Sequence, residues 1–211
     1  MLVEIYSDVV CPWCYIGKRR FEEALREFEH ADEVEVHWRP FQLDPRAPTT
    51  PSPVIDAYAR KFGGPERAME IIDHITSVAA SVGLDFHLDI AQRGNTFAAH
   101  RLLWHERDDS ALQSALKERL MRSYFVEGAD VGDFATLAAL AGEVGITDAA
   151  EFLASAAGAD EVRAGLVTAA ELEITAVPTF VFDGGRWSVP GAQEPSVFLL
   201  IMRKLYERAA S

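Results

Sequence analysis

Cys11 and Cys14 are the only cysteines in the chain, and Pro12 and Trp13 stand between them. Two thiols at i and i+3 can interconvert with a disulfide when the pair opens a helix, since their Cα separation then falls near the ~5.5 Å that the bond favours. The first thiol at such a place meets free N–H groups and the positive end of the helix dipole, and both favour a negative sulfur. The second lies one turn inside, on the apolar face that also carries Phe21. Cys11 is therefore expected to be the exposed attacking thiolate, and Cys14 the buried resolving thiol. Two blander readings stand beside this one. Cysteine is often buried for packing alone, and a pair of thiols could be half of a four-ligand zinc site. The histidines (His30, His37, His74, His87, His100 and His105) show no metal-ligand pattern, so no metal is expected. His100 and His105 are five apart and point to different sides of a helix. Trp13 is expected to be partly exposed and to offer an apolar surface to a partner polypeptide. Neither residue between the cysteines is ionisable, which leaves the helix terminus and backbone N–H groups to set the thiol acidity.

The elements around the pair have the right kind. Residues 2–8 are rich in Val, Ile and Tyr and read as a strand that runs into the cysteines. Cys14, Phe21, Leu25 and Phe28 share one helical face after them, and Pro12 suits the first turn, where a missing N–H costs nothing. Residues 33–39 alternate as a second strand. Pro45, Pro48, Pro51 and Pro53 mark 44–53 as a linker or long loop. A helical stretch follows. Ile71, Ile75, Val78 and Val82 mark one helix, and Leu112, Leu116 and Leu120 another. Others are predicted near 95–107, 133–144, 147–155 and 160–173, with Asn95 as a helix cap. Strand character returns at 178–182, the turn Asp183-Gly184-Gly185 starts a hairpin, and 186–189 run back. A last helix begins near Pro195 and carries Phe198, Met202 and Leu205 on one face. The order is β, α, β, a helical insert, β, β, α: an α/β chain, with residues 1–43 and 174–211 as one domain and 44–173 as an inserted helical subdomain.

Composition excludes several classes. Lysine and arginine total 20 against 33 acidic residues, a net charge of −13 that would repel a phosphate backbone, so nucleic acid is not an expected partner. No apolar run approaches the ~20 residues of a membrane span. Leu2-Val3-Glu4-Ile5-Tyr6 reads directly as a strand rather than a secretion signal, and the expected location is the cytoplasm.

The stretch Ser7-Asp8-Val9-Val10-Cys11-Pro12-Trp13-Cys14-Tyr15-Ile16-Gly17 resembles the opening of the DsbA family, in its FrnE-like branch. Thr175-Ala176-Val177-Pro178-Thr179-Phe180-Val181-Phe182 is similar to that family's cis-proline strand, and Gly191-Ala192-Gln193 to the turn after its hairpin. Segments 38–43 and 95–101 look alike too, so the likeness spans nearly the whole chain. It implies a thioredoxin fold with a helical insert, and thiol–disulfide exchange without a cofactor. It also implies a cis Val177–Pro178 bond, with Pro178 adjacent to Cys11. Pro12, Trp13, Val177 and Pro178 are the expected substrate-binding residues, and the expected partners are protein or small-molecule disulfides and thiols, glutathione among them. Ala176 stands where relatives commonly carry glycine. Trp13 stands where better-known DsbA proteins carry histidine, which implies a weaker oxidant. The kappa-class glutathione transferases and hydroxychromene-carboxylate isomerases share the implied fold, but a serine typically takes their first cysteine position. A third reading is a peptide-binding module with an apolar groove around Trp13.

Overall fold

The computed structural model describes residues 1–209. Strand β1 (Leu2–Ser7) lies at the centre of a four-stranded sheet. It leads into helix α1 (Pro12–Glu27), which crosses over to β2 (Glu35–Pro40), parallel to β1 with Val3 opposite Val36. A 3₁₀ turn at Ala31–Glu33 takes Glu33, the residue expected to start that strand, which begins at Glu35. Strand β5 (Thr179–Phe182) pairs antiparallel with the other edge of β1, Ile5 facing Phe180. β6 (Trp187–Pro190) closes the order β2-β1-β5-β6, and Arg186 belongs to the turn rather than to the strand.

Every residue of β5 is buried because both sheet faces are covered, which is why it reads as an unbroken apolar run. Phe180 and Phe182 point one way and meet Val3, Ile5, Phe21 of α1, and Phe198 and Met202 of the last helix α9 (Pro195–Ala209). The Phe180 and Phe198 rings lie 4.4 Å apart. Val181 points the other way with Tyr6, towards Ala169 and Ile174. This is the thioredoxin arrangement that the family resemblance implies, and the expected element order agrees with it.

Between β2 and β5 run α2 (Val54–Phe62), α3 (Pro65–Ser81), α4 (Phe97–His105), α5 (Ser110–Phe125), α6 (Phe134–Glu143), α7 (Ala149–Ala154) and α8 (Ala159–Glu171). The end of the proline-rich stretch is not all loop: β3 (Ser52–Pro53) pairs with β4 (Gln92–Arg93). A two-residue edge ladder tolerates a proline that a longer strand would not. In α3 the buried stripe is Ala68, Ile72, Ile75 and Ala79. The expected stripe through Ile71, Val78 and Val82 flanks it, because the two alanines let the helix settle closer on that side. Cys14 and Phe21 also part company. Cys14 packs with the core of the helical region, among Leu116, Leu120 and Met121, and Phe21 packs against the sheet.

Candidate active site

Cys11 is the N-cap of α1, with extended backbone (φ −89°, ψ 113°), and Pro12 occupies the first turn as its fixed φ allows. The Cys11 Sγ accepts the Cys14 N–H at 3.2 Å, so the sulfur takes the place of a capping oxygen on a free N–H. The same sulfur lies 3.6 Å from the Val177 carbonyl oxygen. Across the sheet, the Val177–Pro178 peptide is cis. The Thr179 hydroxyl donates to the Ala176 carbonyl at 2.7 Å, and the Gly191 N–H donates to the Pro178 carbonyl at 2.7 Å. Arg20 of α1 donates to the Ala192 carbonyl at 2.6 Å and pairs with Glu194 at 2.8 Å. The loop before β5 and the turn after β6 are thus tied to each other and to α1. Cys11, Pro12, Trp13, Cys14, Val177 and Pro178 come together in this region.

The expectation of an exposed Cys11 is corrected: the residue is only 3% exposed, and Cys14 is 0% exposed. Both thiols are free. The helical region folds back over the site, and Val10, Trp13, Tyr58 and Val177 pack around the cluster that holds both cysteines. Trp13 is half-buried, with its ring 6.1 Å from that of His74 on α3. Pro12 is buried and lines a cavity of about 310 Å³ together with Val10, Tyr58, Tyr124, Lys61 and Arg93.

Beneath the cysteines lie three charged or polar side chains that the sequence did not assign to the site. Asp8 is 1% exposed and its carboxylate is fully engaged. It accepts from the Val9 N–H at 2.8 Å, from the Leu43 N–H at 2.8 Å, and pairs with His100 Nε2 at 3.2 Å. Burial pushes this carboxyl up, but the hydrogen bond and charge of His100 and the Leu43 N–H outweigh it and hold Asp8 below its usual range. Lys117 of α5 is 0% exposed. Its Nζ has no hydrogen-bond partner and lies 5.3 Å over the Trp38 ring. Burial pushes Lys117 down to about 8, against the opposing pull of Cys14, Asp8 and Cys11. Cys14 is pushed well up, first by burial and then by its hydrogen bond and charge coupling to Cys11. The N-cap of α4 is Thr96 rather than Asn95; from the position before it, the Asn95 side chain accepts the Phe97 N–H at 2.9 Å and donates to the Pro45 and Ala47 carbonyls, clamping the proline-rich stretch.

No group of three or more His, Cys, Asp or Glu side chains among the described residues is placed to hold a metal ion. No helix among them is long and apolar enough to cross a membrane.

A family model described as a DSBA-like thioredoxin domain matches residues 2–202. Uncharacterized protein YwbO of Bacillus subtilis (strain 168) is 33% identical over 209 residues, 93% of this chain and 92% of that protein. The crystal structure of a probable DsbA oxidoreductase, SCO1869 from Streptomyces coelicolor, superposes with a TM-score of 0.90 at 38% identity, covering 98% of this chain and 90% of that one. The cytosolic disulfide reductase DsbM from Pseudomonas aeruginosa, also solved with GSH, shares the fold at 18% identity with a TM-score of 0.69, covering 98% of this chain.

Proposed function

The chain belongs to the family of DSBA-like thioredoxin domains, and from that premise we propose that it is a thiol–disulfide oxidoreductase whose working pair is Cys11 and Cys14. One observation carries the reading: the two thiols sit one turn apart at the N-terminus of α1, with the Cys11 sulfur capping the Cys14 N–H at 3.2 Å. A helix N-terminus stabilises charge on the first sulfur at the moment of attack. Cys11 attacks a substrate disulfide and forms a mixed disulfide, and Cys14 resolves it. With Cys11 almost fully covered, a substrate must either be slender or displace Trp13 and Tyr58. Pro12, Trp13, Val177 and Pro178 form the docking surface, and the Val177 backbone, next to the sulfur, pairs with an extended substrate. The chemistry needs no metal or organic cofactor. Residues 44–173 act as a subdomain that roofs the site and supplies Lys117 to it.

Substrates are protein or small-molecule disulfides and thiols. Glutathione is among them by the likeness to DsbM, and the place of work is the cytoplasm on the same ground. The cysteine at position 11 weighs against a glutathione-dependent isomerase or transferase of the kappa or hydroxychromene-carboxylate type. The test is catalysed reduction of a protein disulfide, followed by turbidity with a small dithiol as electron source. The wild type should outrun Cys11→Ser and Cys14→Ser by a wide margin. Equal rates would end the redox reading, and a glutathione-dependent isomerisation that survives in Cys14→Ser would favour the alternative.

A further inference from the structure

Apart from its place 5.3 Å over the Trp38 ring, the Lys117 ammonium has no polar partner that would call for a lysine. Its ammonium is fully buried and makes no hydrogen bond or ion pair among the described residues. An unpaired buried cation destabilises a fold, and an apolar side chain of similar length would fill the same space at no such cost. Its neighbours on α5, Leu116, Leu120 and Met121, are such side chains.

Its position is nonetheless fixed. Four residues earlier, Gln113 accepts from the Trp38 N–H at 2.8 Å and donates to the Leu103 carbonyl at 2.9 Å. One residue later, Glu118 accepts from the Tyr15 hydroxyl at 2.6 Å and from Lys18 Nζ at 2.7 Å, and also binds Arg19. These ties lock the register of α5 against β2 and α1. The charged and titratable groups facing Lys117 are Cys14, Cys11 and Lys18 from α1 and Asp8 from the loop before it. His100 of α4 acts through Asp8. Glu118, next to Lys117 on α5, is spent on α1, and the Asp8 carboxylate is spent on Val9, Leu43 and His100. In the dithiol state Lys117 therefore lacks a bonded counter-charge, and of the two facing thiols Cys14 is the one that can supply it in the mixed disulfide, where the Cys11 sulfur is bonded to substrate.

We infer that the Lys117 ammonium is the counter-charge for the Cys14 thiolate in the resolving half of the exchange, a positioning residue that makes Cys14 easier to ionise. The inference rests on the redox reading of the pair. In that half-reaction Cys14 loses its proton and its sulfur attacks the Cys11 sulfur of the mixed disulfide. The bond from Cys11 to the substrate sulfur breaks, the substrate thiolate leaves with the electron pair and takes up a proton, and Cys11–Cys14 is oxidised as the substrate is reduced. Burial opposes the ionisation of Cys14, and Lys117 is the side-chain cation that acts against it.

The test follows reduced protein mixed with the chromogenic disulfide dithiobis-nitrobenzoate. A first burst of coloured thiolate reports attack by Cys11, and a second reports resolution by Cys14. Lys117→Met should keep the first phase. Its second phase should slow about tenfold at neutral pH, with the pH midpoint raised by about one unit, since the rate below the midpoint follows the thiolate fraction. Its melting temperature should rise, an outcome that a merely structural lysine would not give. Lys117→Gln keeps a polar head without charge and should show the same slow second phase, and Lys117→Arg should restore part of the rate. A second phase with unchanged rate and midpoint in folded Lys117→Met or Lys117→Gln would overturn the inference. Absence of any first phase in folded wild type would instead overturn the redox reading on which it rests.

Discussion

Gly17 of α1 faces Pro178 so closely that a Cβ built on the glycine would lie 2.8 Å from the proline Cγ and 3.4 Å from the Ala192 Cα. The helix that carries both cysteines is thereby allowed to lie directly on the loop that brings Val177 to the Cys11 sulfur. Gly17→Ala should push the two apart. Overpacking costs about 1–3 kcal/mol, and the better helix propensity of alanine returns about 1 kcal/mol. The net cost is about 0–2 kcal/mol, a melting temperature lower by up to about 8 °C, with several-fold slower disulfide reduction. A variant that melts higher and turns over normally would show that the close approach does not matter.

Asp8 and His100 form a buried pair directly before the cysteines, and removing the carboxylate orphans two backbone N–H groups as well. Asp8→Ala should cost about 3–5 kcal/mol, the range for breaking a buried charged pair, and Asp8→Asn, which keeps an acceptor, should cost less. Because the folded carboxyl is held below its ordinary value of 3.8, its contribution is present above that pH and lost as pH falls through the lower folded value. Denaturant titrations of wild type and Asp8→Asn should therefore differ most near neutral pH and converge in acid. A gap that stays constant into strong acid would mean that the charge of Asp8 is not what stabilises.

How far the sequence reveals this site depends on the distance over which each contact is made. The Cys11–Cys14 pair and its strand–helix setting are local, and so is the strand from Thr179 to Phe182, whose apolar run reports cover on both faces. Lys117 was not legible. A lysine beside the leucines of α5 looks like a surface charge, and its burial depends on Trp38, Cys14 and Asp8, which come from remote parts of the chain. His100 is similar: a lone histidine says nothing until Asp8 is placed against it. The burial of Cys11 escaped for the same reason, since Tyr58 and Val177, which pack about it, are brought there by tertiary contacts.

Cys14→Ser should trap a mixed disulfide with a substrate disulfide, because the attacking sulfur keeps its place at the helix cap while the resolving one is gone. Cys11→Ser should not. Non-reducing gels or intact mass after incubation with an oxidised substrate would show the adduct. Equal adducts on both variants would reverse or remove the division of roles between the two thiols.

The stability contribution of Lys117 has a definite sign with pH. Its folded value of about 8 lies below the ordinary 10.5, so between those limits the unfolded chain holds a proton that the folded one has lost. Stability from this group therefore rises as pH climbs through that window, and the penalty of the buried charge is full below it. Replacing the ammonium by the thioether of methionine removes the penalty, and such replacements stabilise by about 1–4 kcal/mol. In a Cys11→Ser, Cys14→Ser background, free of thiol titration, Lys117→Met should be the more stable protein at pH 7 by that order. The gap should then narrow as pH rises towards 10.5. Urea unfolding at a series of pH values measures both. A destabilised Lys117→Met, or a gap that does not change with pH, would show that the fold itself needs the charge and that its presence beside Cys14 has a structural origin.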